Sequence, residues 1–270
     1  MVAMAGYVLL PFWWMIVAAT KDNEALFASA PLWFSGRFSL WSNLAELLAR
    51  DDGVFGTWIA NTVLYSAVSG VGATAVSVCA GYAFAVLRFP FRRILFALLL
   101  GLVMIPGTAL VLPTYLLLSK IGLTDTIWAV ILPSLLNPFG VYLMRVYAED
   151  AVPEEMLEAA RIDGAGELRI LRSIALPVMR PAVVTVLLFS VVATWNNFFL
   201  PLVMLSDSRL FPLTVGMNSW YRAAVTGTGG ETLFNLVVVG SVVAVLPLVV
   251  AFGVLQRHWR SGLTAGSLRG

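Results

Sequence analysis

The sequence is short of the residues that catalysis and metal binding use most. It holds one cysteine, Cys79, and one histidine, His258. A single cysteine excludes an intrachain disulfide and a cysteine-based metal set, and a lone histidine leaves no basis for a histidine-dependent triad or zinc site. We expect Cys79 to be a small buried residue of an apolar segment and His258 to be a surface cation of a basic tail. The sequence therefore predicts no catalytic residue, no metal site and no enzymatic activity.

Lysine is also scarce, and this excludes an ATP-binding phosphate loop, which needs a lysine after a glycine-rich stretch. The only lysines are Lys21 and Lys120, and neither completes the glycine-rich pattern of a phosphate-binding loop. Ionisable residues are nearly absent from the apolar segments, which argues against a pump driven by protons or sodium. We expect no cofactor on this chain, so any energy for work has to come from outside it.

Charge of either sign is sparse throughout the sequence. Charged residues make up 12% of the chain, hydrophobic residues 60%, and the mean hydropathy is +0.89. A typical soluble domain has about 25% charged residues. The net charge of +2 is too small to indicate nucleic-acid binding. This composition predicts an all-α membrane protein that crosses the bilayer several times.

Long apolar segments are what the sequence does have. They predict six transmembrane helices in one domain covering residues 1–270, at about 2–19, 58–87, 94–119, 126–147, 182–205 and 233–255. We expect 2–19 to be a span and not a cleaved signal peptide, because no basic residue precedes it. The small residues of 58–87 predict close helix packing, and Pro106 and Pro113 predict kinks in 94–119. Residues 206–233 are predicted to be an exposed loop.

One polar block, residues 148–181, interrupts this apolar pattern. Seven acidic residues and four arginines fall within 149–181, and a segment this polar cannot lie in hydrocarbon. Pro153 suits a first helical turn, and Gly164 suits the residue that ends a helix. The block therefore predicts two short helices, the first with a partial apolar face of Met156, Leu157, Ala160 and Ile162. Taken alone, the pattern also fits a solvated amphipathic loop.

The block carries a motif that resembles a known family. The motif consists of Glu-Ala-Ala at 158–160, a glycine at 164 and Ile-x-Leu-Pro at 174–177. It is similar to the EAA loop of ABC importer permeases. The resemblance implies a type I importer permease fold, with this loop as a coupling helix docked into a separate cytoplasmic ATPase subunit. The coupling residues that it implies are Glu158, Ala159, Ala160, Asp163, Gly164, Ile174, Leu176 and Pro177.

Two further matches point to carbohydrate importers. Residues 195–202, Trp-Asn-Asn-Phe-Phe-Leu-Pro-Leu, resemble a pattern of those permeases, and the tail at 256–270 resembles the ending of the second permease subunit of maltose-type importers. Polar groups inside spans mark a transport path or join helices. An aromatic ring beside amides suits a sugar. The candidates for the solute path are Trp195, Asn196, Asn197, Asn137 and Tyr142. Plain hydrogen bonding between helices is the alternative.

The resemblance also implies partners. They are a homologous second permease subunit, two ATPase subunits that bind ATP and Mg²⁺, an extracytoplasmic solute-binding protein and membrane lipid. Placing 148–181 in the cytoplasm puts eleven basic residues inside and six outside, as expected for the bacterial inner membrane with both termini cytoplasmic. Glu158 is expected to meet a basic residue of the ATPase. The glycine-rich loop at 227–230 is expected to reach the binding protein, and the tail at 262–270 the ATPase.

Two other interpretations remain open at the level of sequence. The motif does not separate carbohydrate from a polyol, a glycerol phosphate derivative or a peptide as the solute. A membrane enzyme or scaffold is the alternative from another class. An enzyme within the membrane needs a dyad or a metal set in its spans, and the sequence shows neither.

Overall fold

The computed structural model describes residues 2–227 and 233–265, and over these residues the chain is helical, without β-strands. The all-α prediction is confirmed. The helices are α1 (Val2–Ala19), α2 (Asn23–Ala28), α3 (Leu40–Ala49), α4 (Val54–Val86), α5 (Arg92–Val103), α6 (Gly107–Lys120), α7 (Trp128–Ser134), α8 (Pro138–Ala151), α9 (Glu154–Ile162), α10 (Glu167–Ile170), α11 (Leu176–Val178), α12 (Arg180–Trp195), α13 (Phe199–Met204), α14 (Leu213–Val225) and α15 (Leu233–Ala265). Single 3₁₀ turns cover Arg50–Gly53 and Ser208–Leu210, and a π-helical turn covers Leu171–Ala175.

Backbone packing divides the chain into two compact units. One comprises the described parts of Met1–Thr62 and Asp207–Ala251, and the other comprises Val63–Ser206 with the described part of Phe252–Gly270. The motif residues and the solute-path candidates all belong to the second unit. The prediction of a single domain over residues 1–270 stays a prediction.

In the first unit, a buried lysine fixes the segment after α1. Lys21 is 1% exposed, and its Nζ donates to the carbonyl oxygen of Ala30 at 2.6 Å. The side-chain amide of Asn43 donates to the carbonyl oxygens of Ala19 and Lys21 at 2.9 and 2.8 Å. These bonds satisfy buried backbone groups that would otherwise destabilise a loop.

The structure corrects the prediction of an exposed loop at 206–233. Helix α14 occupies Leu213–Val225 and buries Leu213, Val215 and Trp220. The ring of Trp220 lies 4.7 Å from that of Trp58, and its Nε1 donates to Asp51 at 3.1 Å. The helix was missed because its apolar residues cover only one face and are too few for a span.

In the second unit, the predicted third span is broken in two. Helices α5 and α6 meet at an angle of 106°, and Pro106 stands at the break as the N-cap of α6. A proline there lacks the N–H group that a continuous helix needs and clashes with the preceding turn. The predicted kink at Pro106 is therefore confirmed. Pro113 lies inside α6, and the kink predicted there stays a prediction.

Small residues on α4 bring other helices close to its backbone, as predicted. A Cβ atom at Gly81 would lie 2.5 Å from Cβ of Met144 and 2.8 Å from the amide nitrogen of Arg145, both on α8. Only a residue without a side chain permits this approach. The expectation for Cys79 was wrong, because its side chain is exposed on the surface of α4. The small size of the cysteine side chain did not decide its burial, because Cys79 lies on the outer face of α4.

Three helical stretches of the described residues are long and apolar enough to cross a membrane, namely Leu40–Val86, Trp128–Ala151 and Leu233–Gly253. Counting each bent pair as one span raises this number to as many as five, and Met4–Ala19 is a shorter apolar helix. Proline breaks account for the interrupted spans. A multi-pass membrane protein is consistent with these helices, and the count of six spans stays a prediction.

Candidate functional site

The predicted pair of short helices forms within residues 148–181. Helix α9 begins at Glu154, directly after Pro153, and ends at Ile162. Helix α10 follows at Glu167–Ile170 and continues through the π-helical turn into α11. The chain then bends by 85° between Glu167–Val178 and Arg180–Trp195. The polar block is thus a folded segment and not an irregular loop.

Gly164 joins the two helices through a tight helix-ending turn. Its φ angle is +77°, in the left-handed region. The amide of Ala165 donates to the carbonyl of Ala160 at 2.9 Å, and the amide of Gly164 donates to the carbonyl of Arg161 at 3.0 Å. This pair of bonds is a Schellman motif with Asp163 as the C-cap. Glycine is favoured here by its backbone freedom, because a Cβ would meet nothing within 4 Å.

The motif divides between two faces of α9. Leu157 and Ala160 are 4% and 8% exposed and pack into the core of the unit. Glu158, Ala159 and Asp163 are exposed, as is Gly164. Of the two alanines of the motif, Ala160 therefore packs into this chain's own core and Ala159 lies on an open surface.

The predicted apolar face of α9 was wrong at two of its four positions. Met156 and Ile162 are 45% and 86% exposed. Leu168, at the start of α10, is 78% exposed. Ile162 lies on the side of α9 opposite Leu157 and Ala160, because it follows them by five and two residues, and Leu168 belongs to the next helix. Apolar side chains thus stand among the acidic ones on the outer surface of the segment.

The second half of the segment is anchored by buried residues. Ile170, Ala175 and Met179 are all 0% exposed. Ile174 and Leu176 of the motif are half-buried against the same core, and Pro177 is exposed. The core is completed by side chains of three membrane helices: Val78 and Tyr82 of α4, Met144 and Ala148 of α8, and Ala182 and Val186 of α12.

An ion pair that the sequence analysis missed spans the Gly164 turn. The Glu167 carboxylate accepts hydrogen bonds from Nε of Arg161 at 2.8 Å and from the hydroxyl of Tyr82 at 3.1 Å. The bond from Arg161 is the main cause that lowers the pKa of Glu167, and the same bond raises the pKa of Arg161. The sequence did contain a signal for this ion pair, because Arg161 and Glu167 carry opposite charges on either side of Gly164.

A second group of charges lies where the segment leaves α8. Glu149 accepts from Nε of Arg145 at 2.9 Å and lies 3.6 Å from Arg92. Arg88 lies 3.9 Å from Glu154 in the first turn of α9. These contacts connect the entrance of the segment to the turn between α4 and α5.

The structure gives Asn137 a helix-capping role. Its Oδ1 accepts from the amide of Gly140 at 2.8 Å as the N-cap of α8, and its Nδ2 donates to Oγ of Ser190 on α12 at 3.0 Å. The bond to Ser190 joins α8 to α12, whereas the bond from Gly140 caps α8 alone, and a place for Asn137 on the solute path stays a prediction. Tyr142 lies one turn further on, with its ring stacked 6.4 Å from that of Phe96.

The other solute-path candidates lie at the end of α12. Trp195 is 8% exposed and is the last residue of that helix. Asn196 is exposed, and its Nδ2 donates to the carbonyl of Val192 at 2.9 Å. Asn197 is half-buried in the break before α13. Asn137 and this group are thus connected through α12, and the path itself stays a prediction.

Among the described residues there is no group of three or more His, Cys, Asp or Glu side chains that could hold a metal ion. The predicted external loop at 227–230 lies, beyond Gly227, outside the described residues. In the tail, α15 extends to Ala265 and residues 266–270 lie outside the described part.

Residues 73–264 match the family model described as the binding-protein-dependent transport system inner membrane component. This range includes the motif at 158–177, the helices α8 and α12, and the part of α4 on which the motif packs. The chain belongs to this family. It is a transport permease subunit of an ABC importer, and the subunit is not an enzyme. Such a permease implies ATPase, binding-protein and second permease partners.

Named relatives cover most of the chain. The arabinooligosaccharides transport system permease protein AraQ of Halalkalibacterium halodurans is 37% identical over 82% of this chain and 76% of its own length. The sn-glycerol-3-phosphate transport system permease protein UgpE of Yersinia pestis is 27% identical over 95% of this chain and 90% of its own. The fold matches a solved bacterial ABC transporter involved in alginate import with a TM-score of 0.82, at 23% identity over 94% of this chain and 92% of that chain.

Proposed function

We propose that this permease forms half of the translocation path for a carbohydrate, and that residues 148–181 transmit the movement of an ATPase subunit to that path. The carbohydrate assignment is supported by the 37% identity to an arabinooligosaccharide permease. The residues at 195–202 and the tail support it from the sequence side. The coupling assignment is supported by the geometry of the segment.

The observation that carries the coupling proposal is the division of the motif between two faces. Glu158, Ala159 and Asp163 are exposed with Ile162, which is 86% exposed. An outer surface of this kind joins apolar contact with charge, as protein interfaces do. Glu158 would pair with a basic residue of the ATPase, and Ala159 would permit close approach.

The buried face of the segment would hold it rigidly against the membrane helices. Leu157, Ala160 and Ile170 are buried against α4, α8 and α12. Packed interiors transmit displacement because they resist compression. A force on the outer face would therefore move α8 and α12, the helices that carry Asn137, Tyr142 and Trp195.

The proposed assembly places the chain beside a homologous permease, two ATPase subunits and an extracytoplasmic binding protein. The chain would cross the bacterial inner membrane with both termini in the cytoplasm, because eleven basic residues then lie inside and six outside. ATP and Mg²⁺ would bind only to the ATPase subunits. The solute path would include Asn196 and Asn197 beside Trp195.

A glycerol phosphate derivative is the second candidate solute, because relatives named as sn-glycerol-3-phosphate permeases cover 95% of the chain. A polyol or a peptide has no such support here. Uptake of labelled sugars and labelled glycerol phosphates by cells that carry the whole importer would separate the candidates. Uptake of the glycerol phosphates alone would contradict the carbohydrate assignment.

The coupling proposal is tested with the reconstituted importer carrying Glu158→Lys. We expect loss of ATPase docking, or of the hydrolysis that the binding protein stimulates, because the reversed charge would repel its basic partner. Pull-down of the ATPase subunit and its hydrolysis rate, with and without binding protein, measure the two effects.

The matched control is Asp150→Lys, an exposed acid at the end of α8 and outside the motif. It makes the same charge reversal, and we expect stimulated hydrolysis to stay close to that of the wild type. Docking and stimulated hydrolysis that stay close to wild type in both variants would show that the motif is only a solvated connector.

A further inference from the structure

A basic concavity of about 710 Å³ lies on the second unit, between the end of α4, the start of α5 and the middle of α8. It does not include the coupling motif or the solute-path candidates. The side chains that give it its chemistry are Arg88, Arg92, Arg93, Arg145, Phe91 and Ile94. Cationic and apolar groups therefore line the same surface.

The positive charge of this concavity exceeds the negative charge around it. Glu149 pairs with both Arg92 and Arg145, and Glu154 pairs with Arg88. Among the described residues, Arg93 has no acidic partner within ion-pair distance. Four arginines against two glutamates leave an excess of two positive charges, which suits an anionic ligand.

Two of the arginines are fixed by the protein itself. Arg92 donates to the carbonyl oxygens of Ala85 and Leu87 at 3.0 and 3.3 Å, where α4 ends. The guanidinium of Arg145 lies 3.8 Å from the centre of the Phe96 ring. These groups are positioned before any ligand arrives, which lowers the entropy lost on binding.

The other two arginines are open to solvent. The Arg88 side chain is 92% exposed, and its partner Glu154 is 73% exposed at a distance of 3.9 Å. An exposed ion pair of this kind contributes little, so a phosphate group can replace Glu154 at low cost. Arg93 is likewise exposed.

An apolar stripe runs from the concavity along α5. Ile94, Leu98 and Leu102 are 59%, 62% and 50% exposed and follow one another at helical spacing. Phe91 is 72% exposed and holds a left-handed φ of +61°. That conformation is rare for a bulky residue and marks a strained site. The stripe gives acyl chains a surface next to the cationic site.

We propose that this concavity binds the headgroup of an anionic phospholipid, with its acyl chains along α5. The placement in the cytoplasmic leaflet rests on the orientation under the proposed function. Basic pockets at that membrane surface are suited to anionic headgroups. A phosphate diester would accept from Arg88 and Arg93, and Phe91 would lie at the level of the headgroups.

The test uses the whole importer in phosphatidylcholine nanodiscs that contain a photoactivatable phosphatidylglycerol or, separately, a photoactivatable phosphatidylcholine. Peptide mass spectrometry locates the adducts. We expect phosphatidylglycerol to label residues 88–103 more than phosphatidylcholine does. Arg88→Gln and Arg93→Gln should each lower this preference roughly fivefold. The labelling needs neither transport nor ATP hydrolysis, so its result is independent of the coupling test.

Lys120→Gln is the matched control, because it removes one exposed positive charge from the far end of α6. It should leave the preference unchanged. Equal labelling by both lipids would overturn the proposal in favour of ordinary lipid contact. Loss of labelling on adding inorganic phosphate would identify a soluble anion instead. Labelling of residues 88–94 that appears only after the ATPase subunits are removed from the importer would identify a protein interface.

Discussion

At the scale of single residues, Gly164 and Glu167 decide the form of the coupling segment. Gly164 provides the left-handed turn between α9 and α10. Glu167 accepts from Arg161 across that turn and from Tyr82 below it. One residue sets the backbone path, and the other fastens it to α4.

Gly164→Ala should loosen the turn without a steric clash. The cost of placing alanine at φ +77° is roughly 1–2 kcal/mol. Amide hydrogen exchange over residues 160–167 should therefore accelerate by about tenfold or more. Gly166→Ala is the control, because Gly166 has φ −73° and equal space for a Cβ. Equal exchange in the two variants would show that the turn is not the source of order.

Acid should weaken the attachment of the segment through Glu167. Its pKa is lowered in the folded protein, chiefly by the hydrogen bond from Arg161. The group therefore contributes stability that is present above its ordinary pKa of 4.5 and is lost as the pH falls through the lower folded value. Unfolding of the purified permease by denaturant, followed against pH, measures this. Glu167→Gln should lose that part of the acid dependence, and an unchanged pH profile would contradict the assignment.

At the scale of elements, breaks in helices carry the polar groups. Asn137 stands between α7 and α8, and Asn196 and Asn197 stand between α12 and α13. Irregular backbone at membrane depth is tolerated where protein groups or a water-filled cavity satisfy it. Asn137 provides this satisfaction for α8 by capping its first turn.

Asn137→Ala should destabilise the permease, because it removes the cap of α8 and the bond to Ser190. The expected loss is about 1–2 kcal/mol. Asn196→Ala removes an exposed amide that bonds only within its own helix, and it should leave stability nearly unchanged. Thermal unfolding and the KM of uptake distinguish the roles. A change in KM with Asn137→Ala at unchanged stability would favour a solute contact over a cap.

At the scale of the whole molecule, orientation in the membrane decides which surface meets which partner. The coupling segment has to face the cytoplasm if an ATPase binds it. Two single-cysteine variants, Asp163→Cys and Ile121→Cys, each in a Cys79→Ser background, can report this orientation. Both positions are exposed.

An impermeant thiol reagent added to intact spheroplasts should label Ile121→Cys and leave Asp163→Cys unlabelled. After lysis both should react. The reason is that α6 is predicted to end outside and α9 to lie inside. Labelling of Asp163→Cys in intact spheroplasts would contradict the proposed orientation.

The sequence by itself determined the class of this protein, because apolar length, scarce charge and motif spacing are local properties of the chain. It placed α1 within its bounds, the two helices of 148–181 and the turn at Gly164, since proline and glycine act on their own backbone. Only the tertiary structure decided that Ala160 faces inward while Ala159 and Ile162 face outward. It also decided that Asn137 caps a helix, that Glu167 bonds Tyr82, and that Leu213–Val225 forms a helix. These outcomes depend on which distant surfaces meet, and residue spacing along one segment does not contain that information.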